Sequence, residues 1–224
     1  MLNKGYFIIG TDTDIGKTYI SSLLFKSLGF TNPGYYKPLQ TGCYEKDGNF
    51  IALDPEFLCK FNNIPYDSTM STFLFANPVS PHLASEIENI PIDIDTIYNT
   101  WKQISKEHKT TIVEAAGGVF VPIIRNKFYM YDLIKLLNIP VILVASSKVG
   151  AINHTMLTIS FLKEKGIKIQ GLIFNKYTEE FYEKDNIKVV SEASGIKNYL
   201  LIKPNQDIIE EKLIKKFLEV TSND

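Results

Sequence analysis

Short, mostly apolar runs alternate along the chain with longer stretches in which apolar residues recur every three or four positions. The runs cover residues 6–9, 35–37, 112–113, 139–145, 169–174 and 199–202, and residues 68–75 show strand-like alternation. Apolar runs of this kind are typical of strands buried on both faces of a parallel sheet. Helical repeats lie between them, over 17–28, 53–63, 81–89, 92–106, 129–137, a segment after Gly150, 187–193 and 207–220.

This alternation predicts an α/β fold, a doubly wound, mainly parallel sheet with helices on both faces. The reason is that strand–helix–strand units join parallel strands by right-handed crossovers. No linker or internal repeat interrupts the pattern, so residues 1–224 are predicted to form a single domain. In detail, Pro38 is predicted to end the strand at 35–37, residues 43–50 to form a mobile loop, and Asp54, followed by Pro55, to cap the next helix.

Composition narrows the class of protein. Of the 224 residues, 45 % are hydrophobic and 22 % are charged, and the formal net charge is −1, which leaves no basic surface for nucleic acid or membrane. No apolar run approaches the roughly 20 residues that span a bilayer, and the start MLNKGYFII is too short for a signal peptide. Cys43 and Cys59 lack the spacing of metal ligands. We therefore expect a cytoplasmic protein.

The segment GTDTDIGKT, residues 10–18, follows the first predicted strand and opens the first helix. That context favours a phosphate-binding loop, whose N–H groups and helix dipole attract phosphate. Lys17 would reach the β- and γ-phosphates, and the Thr18 hydroxyl would bind magnesium. The spacing is unusual, because five residues rather than four separate Gly10 from Gly16. The other interpretation is an ordinary glycine turn before a helix.

Further polar residues follow the other predicted strands, whose carboxyl ends meet at one edge of the sheet. Lys37 either faces the site or is an ordinary surface lysine, and Thr41 either adds a hydroxyl or stabilises a turn. Glu114, at the tip of a buried strand, is either a magnesium ligand or a loop glutamate. Asn175 either reads a purine edge or belongs to a turn. The helix after Gly150 could hold a carboxylate or phosphate at its N-terminus.

Five segments taken together resemble the dethiobiotin synthetase family. They are GTDTDIGKT, YKPLQTG, VEAAGG, IPVILVASSKVGAINHTMLT and GLIFNK, and the resemblance covers roughly residues 6–205. The phosphate-binding loop of that family has the same extra residue. The resemblance implies a P-loop NTPase fold and an ATP- and Mg²⁺-dependent enzyme of biotin biosynthesis.

The reaction that the resemblance implies joins 7,8-diaminononanoate and carbon dioxide (or bicarbonate) at the expense of ATP. One amine captures carbon dioxide as a carbamate, which attacks the γ-phosphate to give a carbamic-phosphoric anhydride. The second amine then closes the cyclic urea of dethiobiotin and expels phosphate. A homodimer with composite active sites is also implied, because the substrate-carboxylate segment comes from the neighbouring subunit.

The resemblance also assigns roles to matching positions. Lys37 and Lys17 would act as catalytic residues that stabilise the carbamate and the transferring phosphoryl group from opposite sides. Thr18, Asp54 and Glu114 would surround the magnesium ion, a role that replaces the helix cap for Asp54. The residues implied to bind ATP are Asp14, Ile15, Gly16, Lys17, Thr18, Tyr19, Asp54, Glu114, Gly117, Asn175 and Pro204. Those implied to bind the substrate are Thr11, Lys37, Thr41, Gly150, Ala151, Ile152 and Asn153.

The sequence departs from the family pattern at a few positions. Ala115 stands where the family usually has glycine, and a positive φ there would strain alanine. Asp14 stands where glutamate is frequent, and Thr41 where serine is common. Residues 178–185 do not match clearly, and Tyr182 is only a candidate for the partner-subunit tyrosine of the family.

Three other functions use the same fold. A partitioning or cell-division switch ATPase normally has a second lysine at the position of Asp12, and it needs a basic or membrane-binding face. A cobyrinate-type amidating synthetase belongs to a longer chain with a glutamine amidotransferase portion. A purely structural nucleotide-binding module would not need Lys37 and Glu114 at the same edge.

Overall fold

Seven strands, all paired in parallel, form the central sheet of the protein in a computed structural model that describes residues 5–219. In chain order the strands of the protein are β1 (Gly5–Gly10), β2 (Gly34–Thr41), β3 (Tyr44–Lys46), β4 (Asn49–Ile51), β5 (Ser71–Phe75), β6 (Thr111–Gly118), β7 (Pro122–Ile124), β8 (Phe128–Tyr129), β9 (Val141–Ala145), β10 (Ile169–Asn175) and β11 (Tyr199–Ile202). The central sheet has the order β11-β10-β9-β1-β6-β2-β5, and two antiparallel pairs, β3–β4 and β7–β8, lie outside it.

Eight α-helices surround the sheet within the described residues. They are α1 (Lys17–Ser27), α2 (Leu53–Asn62), α3 (Pro81–Glu88), α4 (Ile94–Glu107), α5 (Met130–Leu137), α6 (Ala151–Glu164), α7 (Phe181–Ser194) and α8 (Glu211–Glu219). Every helix among residues 5–219 is too short or too polar to cross a membrane.

Helices cover both faces of the sheet, as the alternation predicts, and β1 shows how. Its side chains alternate between two separate cores, with Phe7 and Ile9 on one face and Tyr6 and Ile8 on the other. Helices α3 to α7 contribute to the first core, and α1, α2 and α8 contribute to the second. The doubly wound α/β fold with helices on both faces is therefore confirmed.

Strand β2 is longer than predicted. Its pairing with β6 ends at Tyr36 and Val113, whereas its pairing with β5 continues from Lys37 to Thr41. Pro38 therefore falls where β2 has lost its β6 partner, and a missing N–H costs little there. Consequently Lys37 lies inside a strand and not at its end. The predicted mobile loop at 43–50 contains the β3–β4 hairpin.

Strand β6 also continues past the predicted tip, so Glu114 lies in the middle of the strand.

Three other predicted elements have different bounds in the structure. Residues Ser68–Met70 form a 3-10 turn, and of the predicted strand at 68–75 only Ser71–Phe75 are strand. Helix α7 starts six residues before the predicted 187, because Glu180 and Glu183 cap its first turn. Residues 207–210 precede helix α8, and Val220 lies outside the described residues.

The prediction that Asp54 caps helix α2 is wrong. The helix begins at Leu53, and Ala52 is its N-cap without a side-chain bond. Asp54 is thus inside the first turn, where a carboxylate still interacts favourably with the helix dipole. Its side chain is turned to a partner on β2.

Candidate active site

The predicted phosphate-binding loop joins β1 to α1 at the centre of the sheet, where β1 lies between β6 and β9. Gly16 precedes the helix with φ of 93°, a left-handed conformation that favours glycine. A Cβ atom on Gly16 would also lie 2.2 Å from Nδ2 of Asn175. Both the backbone and the available space therefore require glycine at this position.

Lys17 is buried at the start of α1, and its Nζ donates to the Asp12 carbonyl at 3.3 Å. Burial and the nearby charge of Lys37 lower the pKa of Lys17, and Glu114 and Asp54 only partly oppose them. The ammonium thus lies in the loop without a direct carboxylate partner among the described residues. Such a group is suited to an incoming anion.

The ammonium group of Lys37 is the centre of a buried polar cluster. Its Nζ lies 2.6 Å from Oδ2 of Asp54 and 3.1 Å from Oε1 of Glu114, and it donates to the Ala115 carbonyl at 2.8 Å. The Lys37 side chain is only 4 % exposed, which disfavours its charged form. The two carboxylates outweigh this burial and raise the pKa of Lys37.

Glu114 accepts hydrogen bonds on both of its oxygens and is fully buried. The Thr18 hydroxyl donates to Oε1 at 2.8 Å, and the Tyr35 hydroxyl donates to Oε2 at 3.0 Å. Burial and the charge of Glu114 raise the pKa of Tyr35 well above its usual value, so the phenol keeps its proton. The strand brings Tyr35 to this site because residues two apart, such as Tyr35 and Lys37, lie on the same face.

Asp54 completes the cluster from helix α2. Burial alone would raise the pKa of its carboxyl, but the charge of Lys37 and the direct contact with its ammonium lower it. Its backbone N–H donates to Oε1 of Gln40 at 3.3 Å. Tyr35 and Gln40 are the residues of this cluster that the sequence analysis missed. Tyr35 lies two residues before Lys37 in the predicted strand, so the period-2 pattern would have found it, whereas Gln40 has the opposite parity and no such signal.

A cavity of about 730 Å³ opens beside the cluster. The predicted site residues that line it are Asp14, Gly16, Lys17, Thr18, Lys37, Thr41, Asp54, Glu114 and Gly117. Residues 78–81 form another part of its wall, and Lys176 lies at its edge. The ammonium groups of Lys17 and Lys37, the carboxylates of Asp54 and Glu114, and the hydroxyls of Thr18 and Thr41 thus share one space large enough for a small ligand.

Oxygen atoms of the cluster fit a magnesium ion. Thr18, Asp54 and Glu114 supply a hydroxyl and two carboxylates, which are hard oxygen ligands. Within residues 5–219, no three His, Cys, Asp or Glu side chains are grouped to hold a metal by themselves. Magnesium ordinarily needs only one or two carboxylates together with phosphate oxygens and water, so the set is sufficient for a metal that is shared with a nucleotide.

The remaining predicted ATP residues lie around the loop and outside the cavity wall. Asn175 is buried at the end of β10 and donates from Nδ2 to the Ile15 carbonyl at 2.9 Å, while its Oδ1 accepts from the Lys176 N–H. The Tyr19 hydroxyl donates to the Gln206 carbonyl. Pro204 is exposed in the same 203–206 segment.

The predicted substrate residues divide into two groups. Lys37 and Thr41 line the cavity, whereas Thr11 is half-buried between strands and donates its N–H to the Val144 carbonyl at 3.0 Å. The segment from Gly150 to Asn153 starts α6 and does not line this cavity. Gly150 and Asn153 are exposed, Ile152 is half-buried and Ala151 is buried.

The alanine at position 115 is compatible with the backbone. Among the described residues with positive φ, the glycine of this strand is Gly117, with φ of 84°, and Ala115 has an ordinary extended conformation. Ala115 is buried, and its carbonyl accepts a hydrogen bond from Lys37. Replacing the family glycine therefore causes no backbone strain.

Comparison with known proteins places these features in a family. A family model described as an AAA domain matches residues 4–212. The ATP-dependent dethiobiotin synthetase BioD of Fusobacterium nucleatum subsp. nucleatum is 55 % identical over 214 residues, which cover 96 % of this chain and 98 % of the relative. The protein of the same name from Clostridium perfringens (strain ATCC 13124) is 38 % identical, covering 92 % of this chain and 93 % of the relative.

Solved structures with the same fold are more distant in sequence. The septum site-determining protein MinD of Pyrococcus horikoshii OT3, complexed with Mg-ADP, aligns with a TM-score of 0.54 at 14 % identity, covering 96 % of this chain and 95 % of that one. A ParA family ATPase from Chlorobium tepidum TLS aligns with a TM-score of 0.51 at 12 % identity, covering 96 % of this chain and 89 % of that one. At such identities the likeness concerns the fold alone.

Proposed function

The chain belongs to the family of ATP-dependent dethiobiotin synthetases, and we propose that the Lys37 cluster is the site of its reaction. It is an ATP-dependent ligase that makes dethiobiotin in biotin biosynthesis, with ATP and 7,8-diaminononanoate as substrates. The observation that carries the assignment of the site is the position of Lys37, a buried ammonium held between Asp54 and Glu114 beside the phosphate-binding loop.

Lys37 holds positive charge where negative charge develops. The proposed reaction passes through a carbamate and a carbamic-phosphoric anhydride, both of which are anionic. Two carboxylates raise the pKa of Lys37, so the ammonium is charged before any ligand arrives. A preorganised charge of this kind stabilises a transition state without reorganisation at the moment of reaction.

Lys17 and the loop bind the triphosphate in this proposal. The free N–H groups at the start of α1 attract phosphate, and Lys17 contacts the β- and γ-phosphates. Asp14, Ile15 and Gly16 give the loop its shape, and the left-handed backbone of Gly117, where a Cβ atom would lie 2.8 Å from Val121, favours glycine in the cavity wall. Lys17 and Lys37 then face the transferring phosphoryl group from two sides of the cavity, because both side chains line it.

Thr18, Asp54 and Glu114 would hold the magnesium ion that accompanies ATP. When bound, that ion neutralises phosphate charge and polarises the bond to the γ-phosphate. The position of the ion would be set by the protein, because Tyr35 and Thr18 orient the Glu114 carboxylate and Lys37 orients the Asp54 carboxylate.

Asn175 is proposed to recognise adenine, with Tyr19 and Pro204 beside it. One N–H of the Asn175 amide is given to Ile15, which leaves one donor, and its oxygen keeps one lone pair after accepting from Lys176. A donor and an acceptor on one amide are what a purine edge requires. Asn175 would then tie the base to the loop that holds the phosphates.

The substrate carboxylate is proposed to bind at the start of α6 in a partner protomer. Residues Gly150, Ala151, Ile152 and Asn153 lie outside the cavity of their own chain, whereas Thr41 and Lys37 line it. Large apolar side chains before and along α6 are exposed, with Val149 at 89 % and Leu157 at 63 %, as is Phe120 at 60 %, which packs against Phe161 of this helix. A homodimer would cover them and deliver the helix N-terminus to the other site, where Thr11 helps to orient the chain of the substrate.

Complementation tests the composite site. The Lys37→Gln variant lacks the cavity ammonium, and the Asn153→Asp variant places a carboxylate where the substrate carboxylate binds. A mixed dimer of the two variants contains one site in which both Lys37 and Asn153 are wild type. We therefore expect two nearly inactive proteins to recover activity after they are mixed and their subunits exchange. Sites contained in a single chain would show no recovery.

Two broader assignments are part of the proposal. The whole chain is proposed to act as one domain, because a single seven-stranded sheet carries every part of the site. A cytoplasmic location is supported by Cys43 and Cys59, which are both free and buried and form no disulfide.

A switch ATPase remains the competing function of another class. Its fold matches, but the identities are 12 % and 14 %, against 55 % for a dethiobiotin synthetase. Asp12 also stands where such switches carry their second lysine. The likeness of fold does not favour that function over the proposed one.

The test of the proposed function is product formation. Purified protein with ATP, Mg²⁺, bicarbonate and 7,8-diaminononanoate should yield the cyclic urea by mass spectrometry, with ¹³C entering from labelled bicarbonate. ATP turnover should require both the diamine and bicarbonate. The matched control for Lys37→Gln is Lys109→Gln, an exposed lysine that precedes β6 at the opposite end of the sheet. ATP hydrolysis that ignores the diamine, with no urea product, would contradict the assignment.

A further inference from the structure

Glu183 is a fully buried carboxylate that the reaction does not use. It lies in the first turn of α7, inside the segment 178–185 that matches the family pattern poorly. A buried carboxylate is costly unless donors surround it, so its partners indicate what it does.

Four donors from two different loops meet on Glu183. Oε2 accepts from the Thr178 N–H at 2.9 Å, from the Thr178 hydroxyl at 2.9 Å and from the Glu180 N–H at 3.1 Å. Oε1 accepts from the Ser147 hydroxyl at 2.7 Å. Burial raises the pKa of Glu183, but these bonds outweigh it and lower the pKa below the usual value. The side chain is therefore an ionised acceptor that joins the β10–α7 loop to the β9–α6 loop.

Asn186 adds a second tie to the same loop. Its Nδ2 donates to the Ser147 carbonyl at 2.8 Å and also lies 3.4 Å from the Lys148 carbonyl. Residues 183 and 186 are three apart on α7 and lie on one face of the helix. Together they hold Ser147 by its hydroxyl and by its backbone.

The two joined loops carry different parts of the proposed site. The β9–α6 loop leads directly to Gly150 and the start of α6, where Ala151 N–H bonds to the Lys148 carbonyl at 3.0 Å. The β10–α7 loop begins at Asn175, whose amide holds the Ile15 carbonyl of the phosphate-binding loop. Glu183 is the point at which these two loops meet.

We infer that Glu183 is a positioning residue for diamine binding, which acts through Ser147 to fix the β9–α6 loop and the N-terminus of α6. The inference rests on the proposed function, in which residues 150–153 bind the carboxylate of the substrate. Without the tie, the segment would sample other positions and the diamine would bind more weakly, whereas the phosphate-binding loop would keep its own contacts.

The deciding variant is the double substitution Ser147→Ala with Asn186→Ala, because it removes both ties and leaves the capping bonds of Glu183 intact. Thr155→Val is the matched control, since Thr155 is a fully buried hydroxyl on α6 without a hydrogen-bond partner among the described residues. Glu183→Gln is the conservative variant. Its oxygen can accept the Thr178 and Glu180 donors, and its amide can donate to the Ser147 oxygen.

Steady-state kinetics and hydrogen exchange on the full-length enzyme give separate measurements. The double variant should raise the KM for 7,8-diaminononanoate about tenfold, which corresponds to the loss of one or two hydrogen bonds. The kcat and the KM for ATP should stay near wild type. Amide exchange in residues 146–153 should become faster, while exchange in residues 10–18 should not. Thr155→Val and Glu183→Gln should both resemble wild type.

Three outcomes would overturn the inference. The first is an unchanged KM for the diamine in the double variant. The second is a fall in kcat together with equal rises in the KM for the diamine and the KM for ATP. The third is the same defect in the Thr155→Val control. A wild-type protein that forms no cyclic urea would refute the proposed function itself, and this result is distinct because it is seen before any substitution.

Discussion

Removing the charge of Lys37 should destabilise the fold as well as the reaction. In the wild-type protein the carboxylates of Asp54 and Glu114 share the Lys37 ammonium, and in Lys37→Gln they would face each other without that positive charge. The Nζ–Oδ2 distance is 2.6 Å to Asp54, and Coulomb attraction at that distance is about 6 kcal/mol at an effective dielectric of about 20. Desolvation of the buried ammonium opposes this attraction. Loss of one partner of a buried ion pair typically costs about 3–5 kcal/mol, and we expect a decrease of that size in the free energy of unfolding at neutral pH.

The sign of the pH dependence follows from Asp54. Its folded-state pKa is lowered chiefly by Lys37 against the opposing effect of burial, so it contributes stability above its unfolded-state pKa. That stability is lost as pH falls through the lowered pKa. Lys37→Gln removes the charge that lowers the pKa of Asp54, so the variant lacks this stabilising contribution at neutral pH. Its free energy of unfolding therefore decreases less in acid than that of the wild type. The difference in stability between wild type and variant should therefore shrink as the pH is lowered from neutral toward the range of the carboxylates.

Urea unfolding followed by tryptophan fluorescence provides the assay, because Trp101 is the single tryptophan of the chain. Wild type, Lys37→Gln and Lys109→Gln are compared at pH 7.5 and at a pH of about 3.5, below the ordinary pKa of an aspartate at about 3.9, with reversibility checked by refolding. A loss below about 1 kcal/mol at pH 7.5, the size of an exposed ion pair, would refute the reasoning that Lys37 is a buried and required partner. A loss that is equal at both pH values would refute the assignment to the carboxylates.

Two further substitutions test the surroundings of the cluster. Tyr35→Phe leaves one oxygen of the buried Glu114 without its donor, so it should reduce the free energy of unfolding by about 1–3 kcal/mol and lower kcat. The control is Tyr36→Phe, which changes a hydroxyl on the other face of β2 and should leave kcat unchanged. Equal kcat values for the two variants would contradict the role given to Tyr35. Gly16→Ala places a Cβ atom against Nδ2 of Asn175 on a left-handed backbone, so titration calorimetry should show a large loss of ATP affinity with circular dichroism near wild type, and undiminished affinity would argue against this loop as the nucleotide site.

The sequence predicts the fold and most of the cavity because those features have local signals. Each buried strand is a continuous apolar run, and the loop from Gly10 to Thr18 is bounded by glycine and opens a helix. Lys37 and Glu114 follow from the rule that strand ends meet at one edge, even though both residues lie inside their strands in the structure. The rule still identifies these two residues, because each is the first charged residue after the apolar run of its strand.

Contacts between segments distant in sequence are what the local pattern cannot reveal. Asp54 before Pro55 has the sequence of a helix cap, but its carboxylate is turned to Lys37, and that contact outweighs the cap. Glu183 precedes the helix predicted at 187–193, in a segment without a clear match to the family, and it is fully buried among donors from residues 147, 178 and 180. In both cases a partner distant in sequence helps to bury the charge, Lys37 for Asp54 and Ser147 for Glu183.

The opposite pKa shifts of the two cavity lysines have one physical origin, which is whether a carboxylate is in direct contact. Both ammonium groups lose solvation on burial, and only Lys37 gains Asp54 and Glu114 as partners at 2.6 Å and 3.1 Å. The pKa of Lys37 is raised by its carboxylate partners. The pKa of Lys17 is lowered, and among residues 5–219 its ammonium donates to the Asp12 carbonyl and contacts no carboxylate. A triphosphate on the loop would bring negative charge to Lys17 and raise its pKa, so nucleotide and proton should bind there cooperatively. On the proposed function, Lys37 is prepared for the carbamate before any ligand binds, and ATP itself completes the environment of Lys17.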